Sequence, residues 1–234
     1  MDATKDMVEE NTPHRVKMSY ADYLEAAGDS QIVEWVEGET INYRPPTNTH
    51  QNISRLIFLL LDSFIQFFKL GVIIYAPFEV KLWPDGPARE PDILFISNEN
   101  LPNLGKKRLN GGPDLIIEII SPGSVTEDRV RKFSEYERAG VKEYWIIDPR
   151  PHQQQADFYR LGDDGEYHDV SVEADGRFYS QVLPNFWLSV AWLWQEPLLN
   201  PQLGFAEIML SIDDLSDEIK DAYQALYNVL NAQE

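Results

Sequence analysis

In Asp114-Leu-Ile-Ile-Glu-Ile-Ile-Ser121, the many isoleucines in succession indicate a largely buried strand. Side chains of a strand alternate between the two faces of a sheet, so Glu118 shares its face with Ile116 and Ile120. A buried, ionised carboxylate is costly unless a cation or hydrogen-bond donors receive it. The stretch therefore predicts a central strand and, on one of its faces, a functional site.

A second carboxylate and a lysine complete a candidate set. Asp92 opens the apolar run Glu90-Pro-Asp-Ile-Leu-Phe-Ile-Ser97, directly after a proline. A helix is predicted over 125–139, and the short turn before it places Lys132 within reach of Glu118. Two carboxylates and one lysine are the minimum set for metal-assisted phosphodiester hydrolysis, in which the acids hold Mg²⁺ and the lysine orients water or neutralises developing charge.

The spacing of these residues is also consistent with purely structural roles. Asp92 is then the cap of a turn, and Glu118 is the partner of a nearby base. Asp128 and Lys132 are then a surface ion pair at i, i+4, which contributes roughly 0.2–0.5 kcal/mol and implies no chemistry. A glycosidase-like pair of carboxylates, one acting as acid and one as base, is a further hypothesis for Asp92 and Glu118.

Composition limits the classes of function. The chain has 234 residues, 43% of them hydrophobic, which predicts one main domain. It has no cysteine, so a metal would be bound by carboxylate or histidine, and a hard cation such as Mg²⁺ is expected. The longest apolar stretch, 56–68, is interrupted by polar residues and too short to span a bilayer, so we expect a cytoplasmic protein without membrane contact.

The formal charge of −19 disfavours DNA as a partner, because binding to phosphates normally needs a positive surface. Weak or local contact through a basic patch stays open, and the loop residues Lys106-Lys-Arg108 are either such a patch or a solvated surface.

Periodicity and turn residues predict an α/β or α+β fold around a mixed sheet. A hairpin over 32–43 turns at Glu37-Gly-Glu39, and apolar residues near a 3.6-residue period predict a long helix over 48–70. Further strands are predicted at 72–76, 78–83, after Pro91, around Glu118 and at 143–148, followed by an antiparallel meander over 156–190.

The predicted organisation is a mobile leader over 1–17, a main domain over 18–195 and an acidic helical extension over 196–234. The helix predicted at 211–230 has apolar residues along one side, which suits docking or self-association, and a homodimer is one expectation. Trp187, Trp192 and Trp194 are expected in the core or at an interface more than as platforms for bases.

Taken together, four motifs resemble the Uma-type restriction endonucleases of the PD-(D/E)XK nuclease superfamily. They are Pro91-Asp92 at the start of a strand, the run Pro113–Pro122, the helix with Asp128 and Lys132 four residues apart, and the run Gly140–Pro149. The resemblance covers residues 18–190. It implies the restriction-endonuclease-like core, a mixed central sheet flanked by helices.

Residue by residue, the resemblance implies Asp92 as the motif aspartate, Glu118 as the second metal-binding acid and Lys132 as the lysine, with Mg²⁺ or Mn²⁺ as the cofactor. The usual lysine of the superfamily stands two residues after the second acid, where this chain has Ile120. Lys132 on the following helix is therefore the candidate. The implied function is a nuclease that hydrolyses DNA.

Two further residues are candidate accessory groups. Glu39 is either an acid near the metal or a solvated hairpin residue, and His50 either caps and hydrogen-bonds at the start of the long helix or binds metal. Arg129 or Arg131 could supply the positive charge in place of Lys132. Because a fold does not establish an activity, the alternative is a catalytically inactive nuclease fold that serves as a binding or assembly module.

Overall fold

The structure is a computed structural model of the chain, and it describes residues 13–26, 33–43 and 45–232. Its strands, in chain order, are β1 (His14–Lys17), β2 (Val33–Val36), β3 (Glu39–Asn42), β4 (Gly71–Tyr75), β5 (Glu79–Lys81), β6 (Ala88–Arg89), β7 (Ile93–Ser97), β8 (Arg108–Asn110), β9 (Leu115–Ile119), β10 (Glu143–Asp148), β11 (Gln155–Leu161), β12 (Tyr167–Asp169), β13 (Arg177–Tyr179) and β14 (Trp187–Ser189). Its α-helices are α1 (Tyr20–Ala26), α2 (Asn48–Phe68), α3 (Phe133–Arg138), α4 (Pro201–Leu210) and α5 (Asp217–Asn231).

The central sheet has six strands in the order β12-β11-β10-β9-β7-β4. Its middle strand β9 runs parallel to β10, with Glu118 opposite Ile146, and antiparallel to β7, with Ile117 opposite Ile93. The mixed directions confirm the predicted α+β class with a mixed sheet flanked by helices. All five residues of β9 are buried, as the isoleucine run predicted.

The two faces of β9 belong to two hydrophobic clusters. Leu115, Ile117 and Ile119 pack with the apolar side of α2, and Ile116 and Ile120 pack with aromatic side chains on the other side of the sheet. The alternation predicted from the sequence is therefore confirmed, and Glu118 projects to the side of Ile116 and Ile120.

A second six-stranded sheet, which we call the hairpin sheet, has the order β1-β3-β2-β6-β5-β8 and was not predicted. The turn between β2 and β3 places Glu37 and Gly38 at φ 49° and 84°, the left-handed conformation that two-residue hairpin turns require. Residues 14–17, predicted as part of a mobile leader, instead pair as β1 with the edge of β3. Residues 1–12 of that leader lie outside the described residues.

Two helical segments differ from the sequence prediction. Helix α2 begins after Thr47, whose hydroxyl accepts the N–H of His50, and it ends at Lys69 in the left-handed conformation, before Gly71. The helix predicted over 125–139 contains a π-helical turn, Glu127–Lys132, which continues into α3. A π-helical turn is wider than an α-helical turn and is frequent at functional sites.

The C-terminal part packs on the domain itself. The predicted meander is divided, because β11 and β12 extend the central sheet while β13 and β14 form a two-stranded sheet. Leu215, Ile219 and Tyr223 lie against the cluster that contains α2, and Trp187 and Trp192 are buried in it. The helix predicted over 211–230 begins only at Asp217. No helix in the described ranges is both long and apolar enough to cross a membrane.

Candidate functional site

A polar cavity of about 120 Å³ lies where β9 ends and β7 begins. The antiparallel pairing of these strands brings Asp92, which precedes β7, to the end of β9 that carries Glu118. The cavity is lined by five carboxylates (Glu34, Glu90, Asp92, Glu118 and Asp128), by Lys132 and His50, and by neutral residues that include Tyr43, Gln51, Ser54 and Tyr75. The three residues predicted for catalysis therefore line one cavity.

Asp92 is oriented by the strand and helix beside it. Its Oδ2 accepts the backbone N–H of Ile119 at 2.8 Å and lies 3.2 Å from Nε2 of His50. Burial acts to lower the pKa of His50, but the hydrogen bond with Asp92 and the negative charge of Asp92 outweigh burial and raise that pKa. The structure thus gives His50 a hydrogen-bonding position next to the predicted motif aspartate.

Lys132 is surrounded by three carboxylates. Its Nζ lies 2.9 Å from Oε1 of Glu118, 3.1 Å from Oε1 of Glu34 and 3.2 Å from Oδ1 of Asp128, and the residue is 3% exposed. Tyr136, one turn further along the helix, donates its hydroxyl to the same Oε1 of Glu118 at 2.8 Å. Lys132 therefore points into the protein toward Glu118, as a displaced catalytic lysine would.

Glu34, which the sequence did not predict as a site residue, is fully buried next to Lys132. Its Oε2 accepts hydrogen bonds from Arg89 and from Tyr43, each at 2.7 Å. Arg89 is itself fully buried and binds Glu135 through two further hydrogen bonds. The signal that identified Glu118, an acid in the middle of an apolar strand, is also present in Val33-Glu-Trp-Val36 and could have found Glu34.

Glu34 is the carboxylate that pairs most stably with Lys132. Burial acts to raise the pKa of Glu34, but Lys132 and Arg89 outweigh it and lower that pKa to about 2. Burial likewise acts to lower the pKa of Lys132, and its carboxylate neighbours outweigh this, so the amine stays protonated. Glu34 and Lys132 therefore form the stable ion pair of the cavity.

Too few positive charges lie near the other acids of the cavity to balance their negative charge. Burial raises the pKa of Glu118 well above its usual range, and repulsion from Asp128 and Asp92 adds to this although Lys132 opposes it. Burial also raises the pKa of Glu90 to about 8, and the residue accepts the N–H of Val33. One ammonium is thus too little charge for these carboxylates, and a further cation would relieve the excess.

The donor atoms suit a hard divalent cation. Oδ1 of Asp92 and Oε2 of Glu118 accept no hydrogen bond within the described residues, so each acid has one oxygen held in place and one available. No group of three histidine or acidic side chains in the described ranges is arranged to hold a metal ion. Two carboxylates with water and substrate oxygens as the remaining ligands are, however, a usual environment for Mg²⁺.

The remaining predicted site residues lie away from the cavity. Glu39 does not line it and faces Arg15 at 3.7 Å. Arg129 is paired with Asp157, and Arg131 with Glu127, so neither replaces Lys132 at the cavity. The basic loop residues 106–108 do not line it either, and their arginine approaches Glu79 of the hairpin sheet and Tyr20 of α1.

Comparison with known proteins identifies the family of the chain. Residues 20–191 match the family model Uma2, described as "Putative restriction endonuclease". The chain belongs to this family. The matched segment includes β7 with the preceding Asp92, β9 with Glu118, the π-helical turn and the hairpin with Glu34. The whole cavity therefore lies within the family domain. The family resemblance inferred from the sequence is confirmed.

A solved structure shares the fold. It is a putative nuclease belonging to DUF820 from Anabaena variabilis, with a TM-score of 0.62 and 20% sequence identity, and the match covers 76% of this chain and 98% of that one. At this identity the likeness shows the restriction-endonuclease-like fold. No curated protein sequence matches the chain.

Proposed function

We propose that the protein is a divalent-cation-dependent nuclease that hydrolyses phosphodiester bonds in DNA. The observation that carries the proposal is the presence of Asp92, Glu118 and Lys132 on one cavity, with the lysine amine 2.9 Å from the glutamate. Membership of the restriction endonuclease family supports the coarser assignment to nucleases. The excess of carboxylates over cations supports the need for a metal ion.

Asp92 and Glu118 would hold Mg²⁺ or Mn²⁺ through the two oxygens that accept no hydrogen bond. A divalent cation bound there supplies polarisation of a phosphoryl oxygen and a lower pKa for a bound water. Lys132 would contribute a fixed positive charge, because its ion pair with Glu34, 3.1 Å away, keeps the amine protonated and in place. That charge neutralises the negative charge that develops on the phosphate during hydrolysis.

The test is DNA cleavage by purified protein in Mg²⁺ or Mn²⁺, with single-stranded, duplex and branched substrates. We expect Glu118→Gln and Asp92→Asn to lower the rate at least about a hundredfold, the loss typical when an electrostatic group of an active site is removed. Glu173→Gln, an exposed residue remote from the cavity, serves as the matched control. Circular dichroism and thermal melting check that each variant folds.

Two results would contradict the nuclease. One is the absence of cleavage of every substrate with either metal. The other is cleavage that persists in folded Glu118→Gln, since that activity would come from another site or from a contaminant.

The second candidate is a catalytically inactive nuclease fold that binds or assembles with partners. The observation that favours it is that Lys132 already has three carboxylate neighbours and is almost fully buried, as expected for a purely structural ion pair. Calorimetric titration separates the two functions. Heat of Mg²⁺ binding that vanishes in Asp92→Asn supports the nuclease, and no binding up to millimolar Mg²⁺ supports the inactive module.

A further inference from the structure

On the basis of the nuclease function proposed above, we propose that the rim of the cavity binds an unpaired DNA strand next to the scissile phosphate. The ring of Tyr75 would stack on a base, and the guanidinium of Arg55 would contact a phosphate. The substrate class is therefore single-stranded DNA, or the single-stranded part of a branched DNA.

Tyr75 is a large aromatic side chain that is exposed at the mouth of the cavity. It is the last residue of β4, it is 61% exposed and it lines the cavity. It stands opposite Ile93, the residue after Asp92, so its backbone is about 5 Å from the strand that carries this acid. A ring in that position is close enough to contact the nucleotide beside a phosphate bound in the cavity.

The ring is supported from one side. Phe58 of α2 meets Tyr75 edge-on, with ring centroids 5.0 Å apart and an angle of 82° between the planes. Such contacts fix an aromatic ring without covering it. Stacking of a base on an exposed aromatic ring tolerates any base and requires that the base be unpaired. The arrangement therefore favours a single strand over a duplex.

Arg55 supplies a free positive charge on the same helix. It follows Ser54 and lies one turn after Gln51, and both of these residues line the cavity. Within the described residues its guanidinium has no ion pair, hydrogen bond or ring contact. Arg55 also lines a groove of about 420 Å³ on the far side of α2, toward which a strand leaving the cavity can continue.

The positions of the unpaired cationic side chains also disfavour binding of duplex DNA. In the part of the chain that the structure describes, the cations whose side chains have no polar or ring partner are Lys17, Arg55, Lys69, Lys106 and Lys107. Of these, Arg55 alone adjoins residues that line the cavity. Specific binding of duplex DNA commonly uses several phosphate contacts, which this surface and a net charge of −19 do not supply. Stacking on Tyr75 needs no net positive charge.

The experiment measures binding of fluorescently labelled oligonucleotides of about 12 nucleotides by anisotropy, within the usual length range of single-strand sites. The full chain is used in Ca²⁺, a hard cation that neutralises carboxylates. We expect Tyr75→Ala to weaken binding of single-stranded DNA about five- to a hundredfold, the effect of removing one base stack, and Tyr75→Phe to retain it.

Two matched controls are available. Tyr179→Ala removes an aromatic ring that is 41% exposed in β13, and Lys69→Asn removes a free cation at the opposite end of α2, in a backbone conformation that asparagine tolerates. Neither change should alter binding. The salt dependence of DNA binding isolates the contribution of Arg55. One phosphate contact with a single strand gives a slope of about −0.7 in log K against log salt, and Arg55→Ala should bring that slope close to zero.

Several outcomes would overturn the proposal: no binding of single-stranded DNA by the wild type, tighter binding of duplex DNA or of RNA, or unchanged binding in folded Tyr75→Ala. The result also separates this proposal from the nuclease function. Tyr75-dependent binding without cleavage in Mg²⁺ would contradict the nuclease alone, and cleavage of duplex DNA that is unaffected by Tyr75→Ala would contradict the strand site alone.

Discussion

Replacement of Glu90 by glutamine should stabilise the protein at alkaline pH and leave it nearly unchanged at acidic pH. Burial raises the pKa of Glu90 to about 8 from an ordinary value of 4.5, with the N–H of Val33 opposing and the carboxylates of Glu34 and Glu79 adding to the rise. The folded protein therefore favours the protonated acid. The stability that this preference contributes is fully present below pH 4.5 and is lost as the pH rises through about 8.

The size of the effect follows from the shift. Each pKa unit corresponds to about 1.36 kcal/mol, so a rise from 4.5 to about 8 sets an upper limit of about 5 kcal/mol. Partial exposure and relaxation of the ionised form reduce this, and we expect about 2–4 kcal/mol. Glutamine keeps an oxygen that accepts the Val33 N–H but has no proton to lose. The variant should lie within about 1 kcal/mol of the wild type at pH 5 and exceed it in free energy of unfolding by about 2–4 kcal/mol at pH 9.

Urea unfolding followed by tryptophan fluorescence, at several values between pH 5 and 9 and with a chelator to exclude metal binding, measures the difference. The exposed Glu173→Gln serves as the control and should follow the wild type at every pH. A difference between Glu90→Gln and wild type that is constant with pH, or that reverses at pH 9, would show that burial does not favour the protonated form of Glu90.

Two further predictions concern the same charges. Arg89→Met leaves Glu34 and Glu135 without their shared partner inside the protein, so urea unfolding should show a loss of about 3–5 kcal/mol; a loss below about 1 kcal/mol would contradict the buried network. Mg²⁺ should bind more tightly at pH 9 than at pH 6, because burial raises the pKa of Glu118 and the cation must displace its proton; calorimetry that shows equal affinities would contradict a site on this residue.

Much of the geometry of the candidate site could be predicted from local patterns. Strand alternation placed Glu118 on one face of β9, and the short connection to the next helix placed Lys132 within its reach. Both inferences depend on residues close together in the chain, where periodicity and connection length limit the geometry. The position of Asp92 beside Glu118 depends in addition on the pairing of β7 with β9. The two apolar runs, which follow one another in the sequence, are consistent with such a pairing.

The supporting residues of the site could not be found in the same way. Glu34 reaches Lys132 because the hairpin sheet packs over the π-helical turn. This packing joins segments far apart in the chain, and the periodicity of hydrophobic residues within one strand or helix does not predict it. Glu90 and Tyr75 acquire their positions from strand pairings of the same kind. Helix α4 adds a second helix to the C-terminal extension, where one helix is predicted over 211–230, although Asn200-Pro201 is a good helix start.

Diffraction from crystals soaked in Mn²⁺, with anomalous scattering to locate the ion, shows whether Asp92 and Glu118 bind a divalent cation. A cation site formed by Asp92 and Glu118 predicts one peak in the cavity, about 2.1 Å from a carboxylate oxygen of each acid, with the Lys132 amine retained by Glu34. A cavity without a peak at saturating Mn²⁺, or an ion held only by residues elsewhere in the chain, would contradict it.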